Sequence, residues 1–66
     1  MTSTANEIMN ALRAAGRPLS DQDLAHRLDK PEASIRRTRR MLHEARLVAF
    51  AGLDVSANQQ TWQVWA

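Results

Sequence analysis

The stretch Leu24-Ala25-His26-Arg27-Leu28-Asp29-Lys30-Pro31-Glu32-Ala33-Ser34-Ile35-Arg36-Arg37 decides how this chain folds. Leu24, Ala25 and Leu28 recur at helical spacing. Pro31 suits the start of a new helix, because its missing N–H costs nothing in a first turn. The joint between the two patterns is only about two or three residues, too short for an antiparallel helical hairpin and the length of a helix-turn-helix connection. Asp29 or Lys30 is the expected N-cap of the second pattern, which continues to about Arg46. Along it Ile35, Thr38, Leu42 and Ala45 fall on one side, with Met41 at the margin. Ala33, Arg36, Arg37 and Arg40 fall on the other, and Arg39 lies near the boundary.

Upstream, Ser20 is the expected N-cap of the first of these helices. Asp21 and Asp23 suit the positive end of its dipole, and Leu19 can staple onto Leu24. Another helix precedes it. Thr4 and Glu7 have capping-box spacing; Ile8, Met9, Leu12 and Ala15 form one apolar stripe. Gly16 offers a left-handed C-terminal position, and Pro18 prevents resumption. Arg17-Pro18-Leu19 reads as a short extended piece.

Downstream the period changes. Leu47-Val48-Ala49-Phe50-Ala51 is apolar and strand-like, and Thr61-Trp62-Gln63-Val64-Trp65 alternates and is rich in β-formers. Asp54, Ser56 and Asn58 mark the loop from Gly52 to Gln60 as a turn. The expected fold is therefore mainly α with a C-terminal β-hairpin (α+β): one domain over residues 1–66, with helices about 4–15, 20–28 and 31–46 and strands about 47–51 and 61–65. Phe50, Trp62 and Val64 should pack on the helices. Trp65, three positions beyond Trp62, should face the other way or lie partly against the first helix.

Sixty-six residues allow one small domain with a marginal core. The chain has no cysteine, so it has no disulfide and no thiolate-held zinc or iron–sulfur site. His26 and His43 share no carboxylate pattern, so neither a metal nor a general-base role is expected, and no cofactor is. No apolar run approaches a bilayer's thickness, and Met1-Thr2-Ser3-Thr4 lacks the order of a signal peptide, so a cytoplasmic protein without membrane contact is expected. Nothing has the form of a nucleophile elbow, a phosphate-cradling glycine loop or a paired-carboxylate cleft, which excludes the common enzyme classes. Net charge is only +2, yet eight of the nine basic residues are Arg. Part of that bias is compositional, alongside the many alanines. Its placement is not: Arg36, Arg37, Arg39 and Arg40 form a block containing no acid, and no Lys or Arg follows Arg46.

The run Leu24-Ala25-His26-Arg27-Leu28, then Ser34-Ile35-Arg36-Arg37, then Leu42-His43-Glu44-Ala45-Arg46-Leu47-Val48 resembles the core of bacterial and phage winged helix–turn–helix transcriptional regulators. Their pattern is a Leu-Ala-x-x-Leu second helix, a Thr/Ser-Val/Ile-Arg-Arg recognition helix and a closing Leu-x-x-x-Gly-Leu-Val. The resemblance covers nearly the whole chain and implies three helices plus a wing. Three departures stand out. Asp29 and Lys30 occupy places where the family has glycine and an apolar residue, Arg46 replaces the glycine before Leu47-Val48, and the wing has no basic residue.

Duplex DNA offers a dense line of phosphates and a major groove wide enough for one helix. Helix-turn-helix proteins read bases from the first turns of the recognition helix. Glu32, Ala33, Ser34, Arg36 and Arg37 are thus candidate readers, and Arg40 a candidate phosphate ligand. Arg17, Arg27 and Lys30 are flanking candidates, and the N–H groups near Ser20 are a candidate phosphate cradle. The alternative for the arginine cluster is a solvated charged face. Leu53, Val55 and Trp65 are apolar without an evident local partner, which points to an interface.

The expected function is sequence-specific binding of double-stranded DNA by a small regulator of transcription, with a homodimer compatible with two-fold operators. The alternative is a winged-helix protein-interaction module that engages a polymerase or other cytoplasmic partner through the wing. Three aromatics that form no platform with the arginines argue against single-strand binding.

Overall fold

The computed structural model describes residues 3–65, so the Met1-Thr2 part of the leader argument lies outside the described residues. The elements run α1 (Thr4–Ala15), β1 (Leu19–Ser20), α2 (Asp21–Leu28), α3 (Glu32–Glu44), β2 (Val48–Asp54) and β3 (Gln59–Val64). The three strands form one antiparallel sheet in the order β1-β3-β2. No helix is long and apolar enough to cross a membrane.

Every helix end has a local cause. The N-cap of α1 is Ser3, whose hydroxyl accepts from the Asn6 N–H at 3.2 Å. This corrects the expected Thr4–Glu7 box: the cap lies one residue earlier, and Thr4 is already inside the helix. Gly16 closes α1 at φ 64. Ser20 caps α2 in a reciprocal box, its hydroxyl accepting from the Asp23 N–H at 3.0 Å while Asp23 accepts from the Ser20 N–H at 3.3 Å.

The α2–α3 joint departs from expectation in an instructive way. Asp29 does not cap α3. It ends α2 in the left-handed conformation, φ 53, and the next N–H, of Lys30, reaches back to the Ala25 carbonyl at 3.1 Å. The N-cap of α3 is Pro31, which has no side-chain bond to offer; its carbonyl accepts from Ser34 and Ile35. Helix α3 ends at Glu44, short of Arg46, because Arg46 also turns left-handed at φ 60. The Arg46 N–H bonds the His43 carbonyl and the Leu47 N–H bonds that of Leu42, the two bonds of a Schellman closure. Asp29 and Arg46 thus adopt the conformation for which the family pattern supplies glycine.

The core gathers Ile8, Met9 and Leu12 of α1, Leu24 of α2, Ile35 and Leu42 of α3, and Leu19, Val48 and Trp62 of the sheet. Full burial of such a side chain is worth about 1.5–3 kcal/mol. The extended piece before α2 is a two-residue strand, Leu19–Ser20, paired to Trp62 and Thr61.

The hairpin is longer than expected, and its tip is only residues 55–58. Between Phe50 and Gly52 the register shifts, because Phe50 opposes Trp62 while Gly52 opposes the next residue, Thr61. Ala51 is the extra residue of a β-bulge, with Gly52 at φ 111 and its carbonyl accepting from the Thr61 hydroxyl at 2.8 Å. The expectation that Phe50 packs on the helices is corrected. It is 51% exposed and touches Trp62 edge-on at 5.6 Å between centroids. Ala45, expected on the apolar side of α3, and Met41, expected at its margin, are both exposed.

Candidate nucleic-acid interface

Helix α3 is amphipathic because Ile35 and Leu42 are buried while the residues between them alternate outward at helical spacing. Its four arginines divide by angle around the axis. Arg39 sits closest to the core line and is tied down. Its guanidinium donates two hydrogen bonds to Asp21, at 2.9 and 2.7 Å, and lies 4.0 Å from the centroid of the Trp62 ring. Both partners of that ion pair are largely buried, with side chains 11% and 13% exposed. One side chain on α3 therefore grips the first residue of α2 and the central strand β3. His43, one turn on, meets the same indole edge-on at 5.1 Å. The buried Trp62 Nε1–H has no acceptor among the described residues.

Arg36, Arg37 and Arg40 point outward and are exposed, together with Glu32, Ala33 and Ser34. Arg36 donates to Glu32 at 3.1 Å, an exposed i,i+4 pair worth a few tenths of a kcal/mol and easily exchanged. Arg37 and Arg40 pair with no carboxylate among the described residues. The outward face of α3 thus presents two unengaged guanidinium groups, a third held weakly, and the small Ala33 and Ser34.

The flanking candidates are scattered. Arg17 and Arg27 are exposed, away from α3 in the chain. Lys30 is directed to α1, its Nζ lying 3.8 Å from Glu7. Two of the N–H groups near Ser20, its own and that of Asp23, are engaged by the reciprocal cap.

Sequence reasoning missed a cleft of about 340 Å³ lined by Glu32, Arg36, Arg39 and Arg40 of α3, Asp21 and Gln22 of α2, and Gln59 and Gln60 of β3. Gln59 donates to Gln22, which ties the start of β3 to α2. The sequence carries no signal for this contact; it follows from the pairing of Leu19-Ser20 with Trp62 and Thr61, which brings Gln59 to the start of α2.

The interface candidates do not form one patch. Val55 is at the hairpin tip. Trp65 lies beside Leu47, whose carbonyl accepts from the Trp65 N–H at 3.0 Å, with both side chains about half exposed. Leu53, opposite Gln60, is on the other face, that of Trp62. No Lys or Arg lies on either strand of the hairpin or its tip. Asp54 has its carboxylate held below the usual range by the Ser56 hydroxyl, then by the Ala57 and Ser56 N–H groups. Among the described residues no cluster of three or more potential metal ligands occurs.

A helix-turn-helix pair, a cationic outward helix and a hairpin beside it are the parts of a DNA-binding regulator. No match was found among curated proteins or solved structures. A family does match: residues 5–52 fit the IclR helix-turn-helix domain, from the first turn of α1 into the hairpin. The chain belongs to the IclR helix-turn-helix domain family, a winged-helix family of DNA-binding regulators of transcription.

Proposed function

We propose that this chain binds double-stranded DNA sequence-specifically, with α3 in the major groove, and regulates transcription by occupancy in the bacterial cytoplasm. The observation that carries this reading is the pair Arg37 and Arg40, exposed on the outward face of α3 and without a carboxylate partner among the described residues. A guanidinium fork suits both guanine edges and phosphates. Arg37 and Arg36 are assigned to bases with Glu32, while Ala33 and Ser34 permit close approach. Arg40, further along the helix, is assigned to phosphate. Arg17, Arg27 and Lys30 contribute at most outlying phosphate contacts, Lys30 only after leaving Glu7. Arg39 has a different task, since its donors are spent on Asp21 and its plane on Trp62.

The test is fluorescence anisotropy against the DNA flanking the protein's own coding region, repeated across a salt series. Several phosphate contacts require affinity to fall steeply with salt. Absence of duplex binding at low salt refutes the reading and leaves the protein-interaction module, for which exposed Leu47 and Trp65 are the supporting observation. Under the DNA reading the same pair is where a homodimer for a two-fold operator would form.

A further inference from the structure

We infer that β2 is a pairing edge: a second copy of this chain lays its own β2 antiparallel beside it, about a two-fold axis at Ala49, so that the two sheets become continuous. This rests on the homodimer reading, whose seam at Leu47 and Trp65 it extends to the backbone, and it is independent of what α3 reads.

One hydrogen bond fixes the direction of the backbone groups. The Trp65 N–H donates to the Leu47 carbonyl at 3.0 Å, and Val48 and Val64 are the next partners along the ladder. In an antiparallel pair, hydrogen-bonded and non-hydrogen-bonded partners alternate. Val48–Val64 and Phe50–Trp62 are therefore non-hydrogen-bonded pairs, and the N–H and carbonyl groups of Val48 and Phe50 point away from β3. Strand β2 is the edge of the sheet, and no other backbone group among the described residues bonds those outward groups. Soluble proteins blunt such edges with lysine, proline or bulges. The run from Leu47 to Leu53 has no charge and no proline, and its bulge interrupts the edge only from Ala51 onward.

A second copy fits the edge because the strand is complementary to itself. With Ala49 on the axis, Val48 of each copy faces Phe50 of the other, and these pairs exchange about four hydrogen bonds. Ala49 then meets Ala49 of the second copy as a non-hydrogen-bonded pair, where Cα atoms approach to about 4.5 Å and small side chains fit best. Half-exposed Phe50 is covered on the core side of the sheet and Leu47 on the other. No charge along the run is set against its like. The seam is also finite. Arg46 turns left-handed at one end, the bulge begins at the other, and an isologous pairing uses up the edge of both copies. Leu47, Phe50 and Trp65 together expose on the order of 300 Å², short of the roughly 800 Å² per partner in a stable interface. Backbone bonds carry much of the affinity, as in β-strand addition, and the dimer is weak, with Kd on the order of 10–100 μM.

The experiment uses the full chain without DNA. Because the chain has no cysteine, Ala49→Cys forms a disulfide only between copies. At about 4.5 Å between Cα atoms, the two thiols lie within disulfide reach. In a glutathione buffer Ala49→Cys should cross-link at least about tenfold faster than Val55→Cys, which is more exposed but lies off the seam at the hairpin tip. In sedimentation equilibrium from about 1 μM to about 1 mM, the wild type should pass from monomer to dimer. Ala49→Lys sets two cations across the axis, on the sheet face opposite the core, and should weaken the dimer at least about fivefold. A dimer that ignores Ala49→Lys, and that cross-links no faster through position 49 than through position 55, overturns this seam and leaves the homodimer another interface. A wild type still monomeric at about 1 mM overturns the seam and the homodimer alike. Neither result touches the reading of α3, which the salt series on duplex DNA decides.

Discussion

Helix α3 packs Arg39 and His43 against an indole that the β2–β3 hairpin itself carries, that of Trp62, yet the two elements carry opposite chemistry. The helix holds Arg36, Arg37, Arg39 and Arg40, whereas the hairpin holds no cation and exposes Phe50, Leu53 and Val55. The difference teaches that charge and shape are handled by separate elements. Affinity from α3 should respond to salt, because phosphate neutralisation releases counterions. Anything contributed by the hairpin should not. The seam between them is Arg39, an α3 arginine spent on Asp21 and Trp62.

Cutting that seam is the largest expected effect. Arg39→Ala leaves Asp21 largely buried without its partner and strips the cation from the Trp62 ring. Removing one member of a buried pair costs about 3–5 kcal/mol; with both side chains slightly exposed, the lower end applies. A domain of this size should lose well over 10 °C in thermal midpoint. Arg39→Lys should recover only part, since a point charge cannot make the bidentate bond. If Arg39→Ala melts like the wild type, the two elements are not joined in this way.

Changes on the outward face should spare stability and act on DNA. Arg37→Ala should cost about 1–3 kcal/mol on the cognate site and relax preference at one base position, measured by competition with single-base variants. Arg40→Ala should weaken all sequences alike. Equal loss for both on every sequence would mean that α3 grips without reading.

That division of labour was only half visible beforehand. Ser20 before Asp21 and Asp23, Gly16 after the α1 stripe, and Pro31 after the α2 stripe are local signals, and each marked an element boundary in the structure. Local signals also placed Trp62 inside and Leu53, Val55 and Trp65 outside. What escaped is what depends on distant pairing. Arg39 and Asp21 are 18 positions apart, and the residue types alone give no reason to join them. The bulge at Ala51 has a weak mark in Gly52, but only the register shows that it moves Leu53 to the α3 side. The left-handed conformations of Asp29 and Arg46 were obscured because the usual glycine is missing from both.

Those two residues supply the next prediction, smaller in size. A non-glycine residue in the left-handed region costs about 1–2 kcal/mol, partly offset by the extra freedom glycine gives the unfolded chain. Arg46→Gly should therefore stabilise the domain by roughly 0.5–1 kcal/mol in chemical denaturation, by relaxing the turn that joins α3 to the hairpin. Asp29→Gly should give somewhat less, because Asp tolerates that region better than Arg. Neither should alter the salt slope of DNA binding. If Arg46→Gly destabilises, the side chain of Arg46 contributes a contact that its exposure does not suggest.

The smallest effect belongs to the hairpin tip. Asp54 is half-buried, and bonds from Ser56 and Ala57 hold its carboxyl below its ordinary value of 3.8. A carboxyl with a lowered folded pKa favours the ordered tip at pH values above its ordinary range, and that preference is lost as pH falls through the folded value. The tip should therefore loosen only in acid, below about pH 4. Amide shifts of Ser56 and Ala57 followed by NMR should move together in that window and stay flat near neutrality. Asp54→Asn should abolish the movement. Titration of the two amides at neutral pH would mean that some other group orders the tip.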